Sequence, residues 1–375
     1  MSARNAATPN DAEVGAVARS HLERLARGPR PTATAASADA RHYCALVLSS
    51  LGFRPTERPF EYSAAVGEYG TPLGGAVVCA LIIAAVTAAS GGRAPLAIGI
   101  LTVGAALVGL CGRWVAANGV LALPLLRRKG VNLEATRGDD PDVWLVAHLD
   151  SKSQPVPLLV RAAGVVLLGF AWLAAIALSV GNSLGHGSPE LWRWVIILAA
   201  IGTLPVIGSV VGARSAGAVD NASGVAAVLG AASALTDANV GVLITDAEEL
   251  GLAGARAWCA ETTRRRVPVL NCDGVDDGGR LTLMWTRPRS VRLERLVLQA
   301  SDGLARIIPL VPGVLVDGVA FSDAGWECVT LSRGSLATLR RIHTPRDDLA
   351  HLDGRGLTSA AVVLARAAYN LTEQP

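Results

Sequence analysis

The sequence has few charged residues and no paired cysteine motif. Asp, Glu, Lys and Arg make up 17% of its 375 residues, whereas about a quarter of the residues of an ordinary soluble domain are charged. The six cysteines include no C-x-x-C spacing, which argues against a disulfide framework and agrees with a reducing compartment. The net charge of +3 is small and unclustered, so nothing favours a nucleic-acid partner.

Four uncharged runs account for the hydrophobic content of 51%. About 20 apolar residues at ~1.5 Å rise span the ~30 Å hydrocarbon core of a bilayer. Short connections join the runs two by two, so they predict two membrane hairpins rather than four buried helices of a large soluble core. The first run begins too late in the chain for a secretory signal peptide, so none is expected. The runs are Gly74–Ser90, Ala94–Gly112, Ala162–Val180 and Trp194–Ala213, with connections Gly91–Arg93 and Gly181–Arg193.

Four crossings would place all polar segments of the chain on one side of the membrane. Most of the basic residues near the membrane ends lie on that side, and only Arg93 and Arg193 lie on the other. Because Lys and Arg concentrate in cytoplasmic loops, the polar domain of this multi-pass membrane protein is expected in the cytoplasm. The basic residues of the polar side are Arg54, Arg58, Arg113, Arg127, Arg128, Lys129, Lys152, Arg161 and Arg214.

Outside the runs, short apolar strands alternate with helices. This alternation predicts an α/β fold with a mostly parallel central sheet flanked by helices, and ligands of such sheets gather beyond the carboxyl ends of the strands. Residues 1–10 and 27–36 are expected to be mobile. The expected strands are Val143–His148, Val240–Thr245, Val267–Cys272, Leu281–Trp285 and Cys328–Ser332, with an extended segment Phe53–Tyr62. The expected helices are Asp11–Ala26, Ala38–Ser50, Asn221–Leu235, Leu252–Glu261, Val291–Ala305 and Leu357–Leu371.

Acidic residues and histidines stand at the predicted strand ends. His148 and Asp150 close the strand VWLVAHLD, and the adjacent Glu248 and Glu249 follow VGVLIT. Neighbouring carboxylates repel each other, but a metal ion makes such a pair useful, because one binds the ion while the other moves protons. Histidines mixed with carboxylates are ligands that zinc favours. Further candidates are Asp220 before a helix, Asp273 after VPVLNC and His343 in IHTPRDD.

Each of these residues has an ordinary explanation on its own. Asp220 suits a helix N-cap, Glu248 suits the first turn of a helix, Asp273 before Gly274 suits a turn, and His343 suits a loop. The set as a whole favours a metal site, because independent accidents would not all fall at one edge of one sheet.

The motifs around these residues resemble those of the co-catalytic zinc aminopeptidases of the bacterial leucine aminopeptidase and aminopeptidase Y type. The matching pieces AHLDS, DNASG, DAEELGLAGA, NCDG and HTPRDD occur in the family's order. The likeness covers about residues 38–62, 130–152 and 214–372. It implies the zinc-peptidase fold, two zinc ions and a cis peptide bond at Asp220–Asn221. His148 and Asp273 would hold one zinc ion, Glu249 and His343 the other, and Asp220 would bridge the two.

The resemblance also implies roles for the two remaining acids. Asp150 would accept a hydrogen bond from the imidazole of His148 and fix its orientation, and Glu248 would serve as general base and acid. The chain departs from the family where Ser322-Asp323-Ala324 replaces the usual Ser-Asp-His, which puts the substrate-side wall near Asp323 in doubt. Removal of a single N-terminal residue rests on the resemblance, since carboxypeptidase relatives use similar ligands.

The second predicted hairpin is inserted between His148 and Asp220, where relatives have a short loop. Eleven residues separate Asp150 from the apolar run, and six separate Ala213 from Asp220. At ~3.5 Å per extended residue, the metal site is expected within about 25–30 Å of the bilayer. A membrane-associated substrate, such as the N-terminus of a membrane protein or a hydrophobic peptide, would suit this arrangement; a plain anchor is the alternative.

The sequence therefore predicts a membrane-anchored, zinc-dependent aminopeptidase. The alternatives are a glutaminyl-cyclase-like enzyme with one zinc ion, a non-catalytic peptidase-like scaffold and a transporter. The full ligand set disfavours the first two, and the lack of acidic residues in the apolar runs disfavours the third. The predicted segments are a flexible N-terminus with a short helix (1–36), a peptidase domain in three parts (37–73, 127–154 and 214–375) and two transmembrane hairpins (74–126 and 155–213).

Overall fold

The structure, a computed structural model, describes residues 10–138, 140–311 and 313–373. These residues form two compact units. The first unit takes the described residues up to Tyr62, then Arg127–Ser153 and those from Ala213 onward. The second unit takes Ser63–Leu126 and Gln154–Gly212.

Helices and strands alternate along most of the first unit, whereas the second unit is helical. The strands are β1 Arg54–Ser63, β2 Arg127–Thr136, β3 Val143–His148, β4 Val240–Thr245, β5 Val269–Val275, β6 Arg280–Trp285, β7 Arg306–Pro309 and β8 Cys328–Gly334. The helices are α1 Asp11–Leu25, α2 Ala35–Ser50, α3 Ala64–Ser90, α4 Ala94–Trp114, α5 Val120–Ala122, α6 Leu158–Ser183, α7 Pro189–Ile207, α8 Ser223–Ala234, α9 Ala253–Glu261, α10 Val291–Ala300, α11 Asp317–Asp323, α12 Leu336–Arg341 and α13 Arg355–Glu373.

The strands of the first unit form one sheet in the order β1-β2-β4-β3-β5-β8-β6-β7. Its centre is parallel, since β3 pairs in parallel with β4 and β5, and β5 with β8. Antiparallel pairs, β2 with β4 and β6 with β8, flank this centre. Every residue of β3 and β4 is buried, as expected for parallel strands with both faces covered. The predicted α/β fold with a mostly parallel sheet is confirmed.

Two apolar cores cover the faces of the sheet. On one face α8 packs with α1 and α13 in a core of small and aliphatic side chains. Gly230 of α8 allows this packing, because a Cβ there would lie 2.8 Å from the Cβ of Ala18 in α1. On the other face an aromatic cluster forms around Trp258 of α9, whose ring contacts those of Trp144, Phe321 and Trp326.

Residues 27–36, which were expected to be mobile from their composition, make buried hydrogen bonds in the structure. Arg30 is only 2% exposed, and its guanidinium donates hydrogen bonds to the carbonyls of Leu25, Leu149, Ala216 and Gly217. A buried arginine with this many partners ties the segment to the rest of the first unit, which argues against mobility there. Of the other stretch expected to be mobile, residues 1–9 lie outside the described residues.

The second unit contains four helices that are long and apolar enough to cross a membrane. Three of them are α3, α6 and α7. The other begins with α4 at Ala94, continues through a π-helical turn and ends with α5 at Ala122. All four extend beyond the apolar runs: α3 begins at Ala64, α6 at Leu158 and α7 at Pro189, and the helix that begins at Ala94 runs to Ala122. The helices α6 and α7 approach closely where a Cβ on Gly202 would lie 2.9 Å from the carbonyl oxygen of Gly164. Small residues at such contacts are typical of helix packing in membranes.

Candidate metal centre

Two neighbouring parallel strands deliver the first site residues to one edge of the sheet. His148 ends β3 and pairs in register with Thr245, which ends β4. The chain then turns through Ala247, whose φ of 57° is left-handed, into a 3₁₀ turn that begins with Glu248 and Glu249. The histidine and both glutamates are buried. The two adjacent carboxylates thus stand beyond the carboxyl end of a strand, beside His148, as the sequence predicted.

A β-bulge presents Asp273. The pairing of β5 with β8 shifts register between Cys272 and Val275, so Asp273 and Gly274 lie in the irregular stretch. A bulge of this kind re-aims side chains and often occurs beside functional sites. The carboxylate of Asp273 comes within 3.6 Å of His148 Nε2.

Asp220 lies in the turn before α8, and the peptide bond that follows it is cis, as the resemblance implied. The next residue, Asn221, ties this turn to β5. Its side-chain amide donates to the carbonyl of Cys272 at 2.9 Å and its oxygen accepts from the backbone N–H groups of Gly224 and Gly274. One asparagine therefore fixes the turn of Asp220 against the bulge that carries Asp273.

His343 enters from the loop after α12. It is in the left-handed region, with a φ of 60°. Its Nε2 lies 2.9 Å from Asp220 Oδ2 and 3.3 Å from Glu249 Oε2. The other oxygen of Asp220, Oδ1, lies 3.2 Å from His148 Nε2. Asp220 therefore stands between the two histidines, with one oxygen facing each.

The predicted residues gather into two clusters, each with one histidine and two carboxylates. One contains His148, Glu248 and Asp273, and the other contains Asp220, Glu249 and His343; within each, the candidate ligand atoms lie within 4.8 Å of one another. Among the described residues, the buried atoms His148 Nε2 and Glu249 Oε1 have no hydrogen-bond partner. Buried polar atoms are rarely left without partners, and imidazole and carboxylate are zinc ligands. The residues therefore fit the two zinc ions that the resemblance implies.

Asp150 supports the site through the backbone more than through the imidazole. Its carboxylate accepts the N–H groups of Glu248 at 3.1 Å and Glu249 at 3.2 Å. The Nδ1 of His148 hydrogen-bonds to the Asp150 carbonyl at 3.1 Å and lies 3.5 Å from its carboxylate. Because a carbonyl only accepts, Nδ1 carries the proton there, and a neutral His148 presents the lone pair of Nε2 to the cluster.

The surroundings of the two adjacent glutamates shift their pKa values in opposite directions. Burial, together with the charges of Asp273 and Glu249, raises the pKa of Glu248 well above its usual range. Burial also acts to raise the pKa of Glu249, but the neighbouring Lys152 and His343 lower it by more. One of two adjacent carboxyls thus favours the protonated form and the other the charged form, a separation typical of acid–base sites.

Three ionisable residues of the site were not identified from the sequence, of which Asp317 and Asp347 are buried and Lys152 is mostly buried. Lys152 places its ammonium 2.6 Å from Glu249 Oε2. Asp347 accepts the N–H groups of Val219 at 2.7 Å and Asp220 at 3.1 Å, and burial together with the charge of Asp220 raises its pKa to about 7. Asp347 lies within HTPRDD and Lys152 directly follows AHLDS. Their position in or beside these motifs is the sequence feature that indicates them as site residues.

The third residue, Asp317, is the acidic residue of this segment that acts on the site, whereas Asp323, which was considered from the sequence, does not. Asp317 is 1% exposed, and its carboxylate accepts a hydrogen bond from the Thr245 hydroxyl. Burial raises its pKa to about 7 although His148 acts in the opposite direction, and its charge raises the pKa of Glu248. Asp323 instead pairs with Arg256 and is 51% exposed.

Comparison with known proteins agrees with this geometry. The crystal structure of BSAP, a zinc aminopeptidase from Bacillus subtilis, is similar with a TM-score of 0.56 at 15% identity, covering 95% of each chain. The Legionella pneumophila aminopeptidase LapA gives 0.54 at 11% identity, covering 100% of this chain and 78% of LapA. A glutaminyl cyclase from Porphyromonas gingivalis gives 0.55 at 13% identity, covering 97% and 99%. No curated protein sequence matches.

At these identities the similar structures establish the fold, which is that of the zinc peptidases. The family is shown by the sequence. Residues 131–368, which include every predicted site residue, match Peptidase family M28. The resemblance noted in the motifs is thereby confirmed, and the chain belongs to peptidase family M28.

Proposed function

We propose that this protein is a membrane-anchored aminopeptidase with two zinc ions and that Glu248 is its general base. The observation that carries the proposal is the position of Asp220, whose two carboxylate oxygens face the histidines of two separate clusters. A carboxylate between two ligand sets is what a pair of neighbouring metal ions requires. The zinc aminopeptidases among the similar structures support the same reaction.

The two zinc ions have distinct protein ligands in this proposal. His148 and Asp273 would hold one ion, Glu249 and His343 would hold the other, and Asp220 would offer one oxygen to each. Zinc in such a site supplies Lewis acidity, which makes water nucleophilic near neutral pH and polarises a peptide carbonyl.

The residues around the ligands position them and move the proton. Glu248 lies 3.8 Å from His148 Nε2 and is held at its backbone N–H by Asp150. Cations bound beside Glu248 would favour its carboxylate form, and in that form it could take a proton from water and return it to the leaving amine. Asp150 and Asn221 hold the backbone segments that carry the ligands.

The substrate is proposed to be the N-terminus of a peptide or of a membrane-associated protein. The four candidate membrane helices support an anchor in the lipid bilayer, and the excess of basic residues on one side supports a cytoplasmic peptidase domain. Only a few residues connect Asp150 to the start of α6 at Leu158, so the chain tethers the site to the anchor by a short segment.

Hydrolysis and metal content test the proposal together. Detergent-purified protein supplied with zinc is compared with Glu248→Gln on a panel of aminoacyl and N-blocked chromogenic substrates, with Glu23→Gln on the exposed face of α1 as matched control. The expected result is two zinc ions per chain in all three proteins and cleavage of free-amine substrates only. Glu248→Gln should lose activity by roughly 10²–10⁴-fold. Full activity in Glu248→Gln, or cleavage of N-blocked substrates at the same rate, would contradict the proposal.

A glutaminyl-cyclase activity is the second candidate, because a cyclase is among the similar structures at nearly the same TM-score. It predicts one zinc ion per chain and the loss of ammonia from peptides with N-terminal glutamine. The adjacency of His148, Asp273 and Asp220 favours the two-ion peptidase, since it provides ligands for an ion that a mono-zinc enzyme does not need.

A further inference from the structure

Lys152 is an unexpected cation within the second ligand cluster. The chain has only two lysines, Lys129 and Lys152. Lys129 is exposed on β2, whereas the side chain of Lys152 is only 16% exposed. A lysine buried beside carboxylates that are expected to bind zinc is not explained by the reaction proposed above, which gives it no part.

The ammonium of Lys152 binds the carboxylate oxygen that faces the other ligands of this cluster. Its distance to Glu249 Oε2 is 2.6 Å, and the same oxygen lies 3.3 Å from His343 Nε2. The ammonium also lies 3.4 Å from the backbone carbonyl of Glu249. Glu249 Oε2, the oxygen that would bind a metal ion together with His343 and Asp220, is therefore already paired with the Lys152 ammonium.

The position of Lys152 is set by the segment that organises the site. It lies two residues after Asp150, whose carboxylate holds the backbone N–H of Glu249. The charges of Glu249, Glu248 and Asp220 all act on the ammonium and raise the pKa of Lys152 by more than burial lowers it. The first cluster, His148 with Glu248 and Asp273, has no such ammonium contact among the described residues.

We propose that the Lys152 ammonium competes with the second metal ion for Glu249, so that the cluster of Asp220, Glu249 and His343 is the weaker and more readily exchanged of the two zinc sites. This inference rests on the proposed two-zinc function. Like charges in a water-poor site repel strongly, and a zinc ion entering this cluster must share Glu249 with the ammonium or displace it. The ion at His148 and Asp273 meets no such competitor.

Zinc binding to the full-length protein in detergent tests the inference without using activity. Metal-free wild type, Lys152→Met, Lys152→Arg and the control Lys129→Met are titrated with zinc against a competing chelator. In the wild type we expect two binding events of unequal affinity. Lys152→Met should tighten the weaker event by roughly 10–100-fold, because it removes one like charge beside the incoming zinc ion in a water-poor site. Lys152→Arg, which keeps the charge, and Lys129→Met should retain the weak event.

The outcomes separate this inference from the proposed function. If two ions bind to every protein and the weaker event is unchanged or weakened in Lys152→Met, the inference fails and the two-zinc peptidase stands. If Lys152→Arg tightens binding as much as Lys152→Met does, charge competition is refuted. If none of the proteins binds zinc, the inference fails together with the proposed function.

A measurement on the unaltered side chain covers the case in which Lys152→Met does not fold. Because the chain has two lysines, wild-type protein labelled with ¹³C at the lysine Cε gives two side-chain signals, assigned by comparison with Lys129→Met. We expect the Lys152 signal to move with the second equivalent of zinc and the Lys129 signal to stay in place. A Lys152 signal that stays unchanged through both equivalents would overturn the inference.

Discussion

Replacing Asp150 by Asn tests whether this carboxylate builds the site by holding the backbone of the two glutamates. Its oxygens accept the N–H groups of Glu248 at 3.1 Å and Glu249 at 3.2 Å, and the residue is 1% exposed. An asparagine has the same shape but only one acceptor oxygen, so one of these buried N–H groups loses its partner and faces an NH₂ group instead.

The structure sets the size of the expected effect. A hydrogen bond to a charged group contributes about 1.5–3 kcal/mol, and a buried donor left unpaired costs about 1–3 kcal/mol. Part of this loss is relieved if the turn carrying Glu248 and Glu249 moves, and that movement displaces a zinc ligand and the proposed base together. We therefore expect zinc affinity to fall by roughly 10–100-fold, which corresponds to about 1.4–2.7 kcal/mol.

Zinc affinity from chelator competition and hydrolysis at saturating zinc provide the assay. Asp323→Asn is the matched control, because Asp323 pairs with Arg256 at an exposed position; it should leave both readouts unchanged. Zinc affinity within twofold of the wild type in Asp150→Asn, with unchanged hydrolysis, would show that the backbone contacts of Asp150 do not organise the site.

Three further changes probe other parts of the peptidase unit. Asn221→Ala removes the link between the Asp220 turn and β5, so zinc affinity should fall by roughly tenfold or more in a chelator titration, whereas Asn239→Ala at the edge of the unit should not change it. Asp277 accepts the N–H groups of Gly354 and Gly356 at the start of α13, so Asp277→Ala should lower the free energy of unfolding by about 1–2 kcal/mol in a denaturant titration, and an unchanged value would refute this capping role. Burial lowers the pKa of His21, so the unfolded chain binds its proton more readily, and stability should fall by up to about 1.4 kcal/mol per pH unit below about pH 6.5. Thermal unfolding between pH 7.5 and 5.5 should show a shallower fall in His21→Gln, and equal slopes in the two proteins would exclude His21 as a cause.

The sequence predicted which residues gather at this edge of the sheet, because side chains that can bind a metal ion are few in kind and these follow strand ends. The strands β3 and β4 match their predicted limits, Val143–His148 and Val240–Thr245, since both are uninterrupted apolar runs. The candidate ligands that follow them are conspicuous as ionisable residues beside buried strands. Asp317 was missed because its relation to Glu248 exists only in the folded chain, whereas Lys152 directly follows AHLDS and only its contact with Glu249 depends on folding.

Local exceptions explain the elements that were missed or misjudged. The strand β2 buries two polar residues, Asn132 and Glu134, whose partners are the Gly254 carbonyl and the indole N–H of Trp258, so its sequence lacks the alternation of a half-buried strand. The helix expected over Val291–Ala305 ends at Ala300, because the left-handed residues Asp302 and Gly303 stop it and the chain continues as strand β7.

Hydrogen bonds at its two ends explain how the peptidase unit tolerates a long insertion between two of its candidate metal ligands, His148 and Asp220. The chain leaves the first unit after Ser153 and returns at Ala213, yet the two ends are joined within that unit. The hydroxyl of Ser153 accepts the N–H of Arg214, and the hydroxyl of Ser151 donates to the carbonyl of Ser215. Arg30 closes the junction, since its guanidinium binds carbonyls on both sides of it. Because the ends of the insertion are held together, its length adds little conformational cost to the domain, and the segments leading to His148 and Asp220 keep their positions whatever lies between them in sequence. The segment that was expected to be mobile from its composition thus helps to hold the ends of the insertion beside the candidate metal centre.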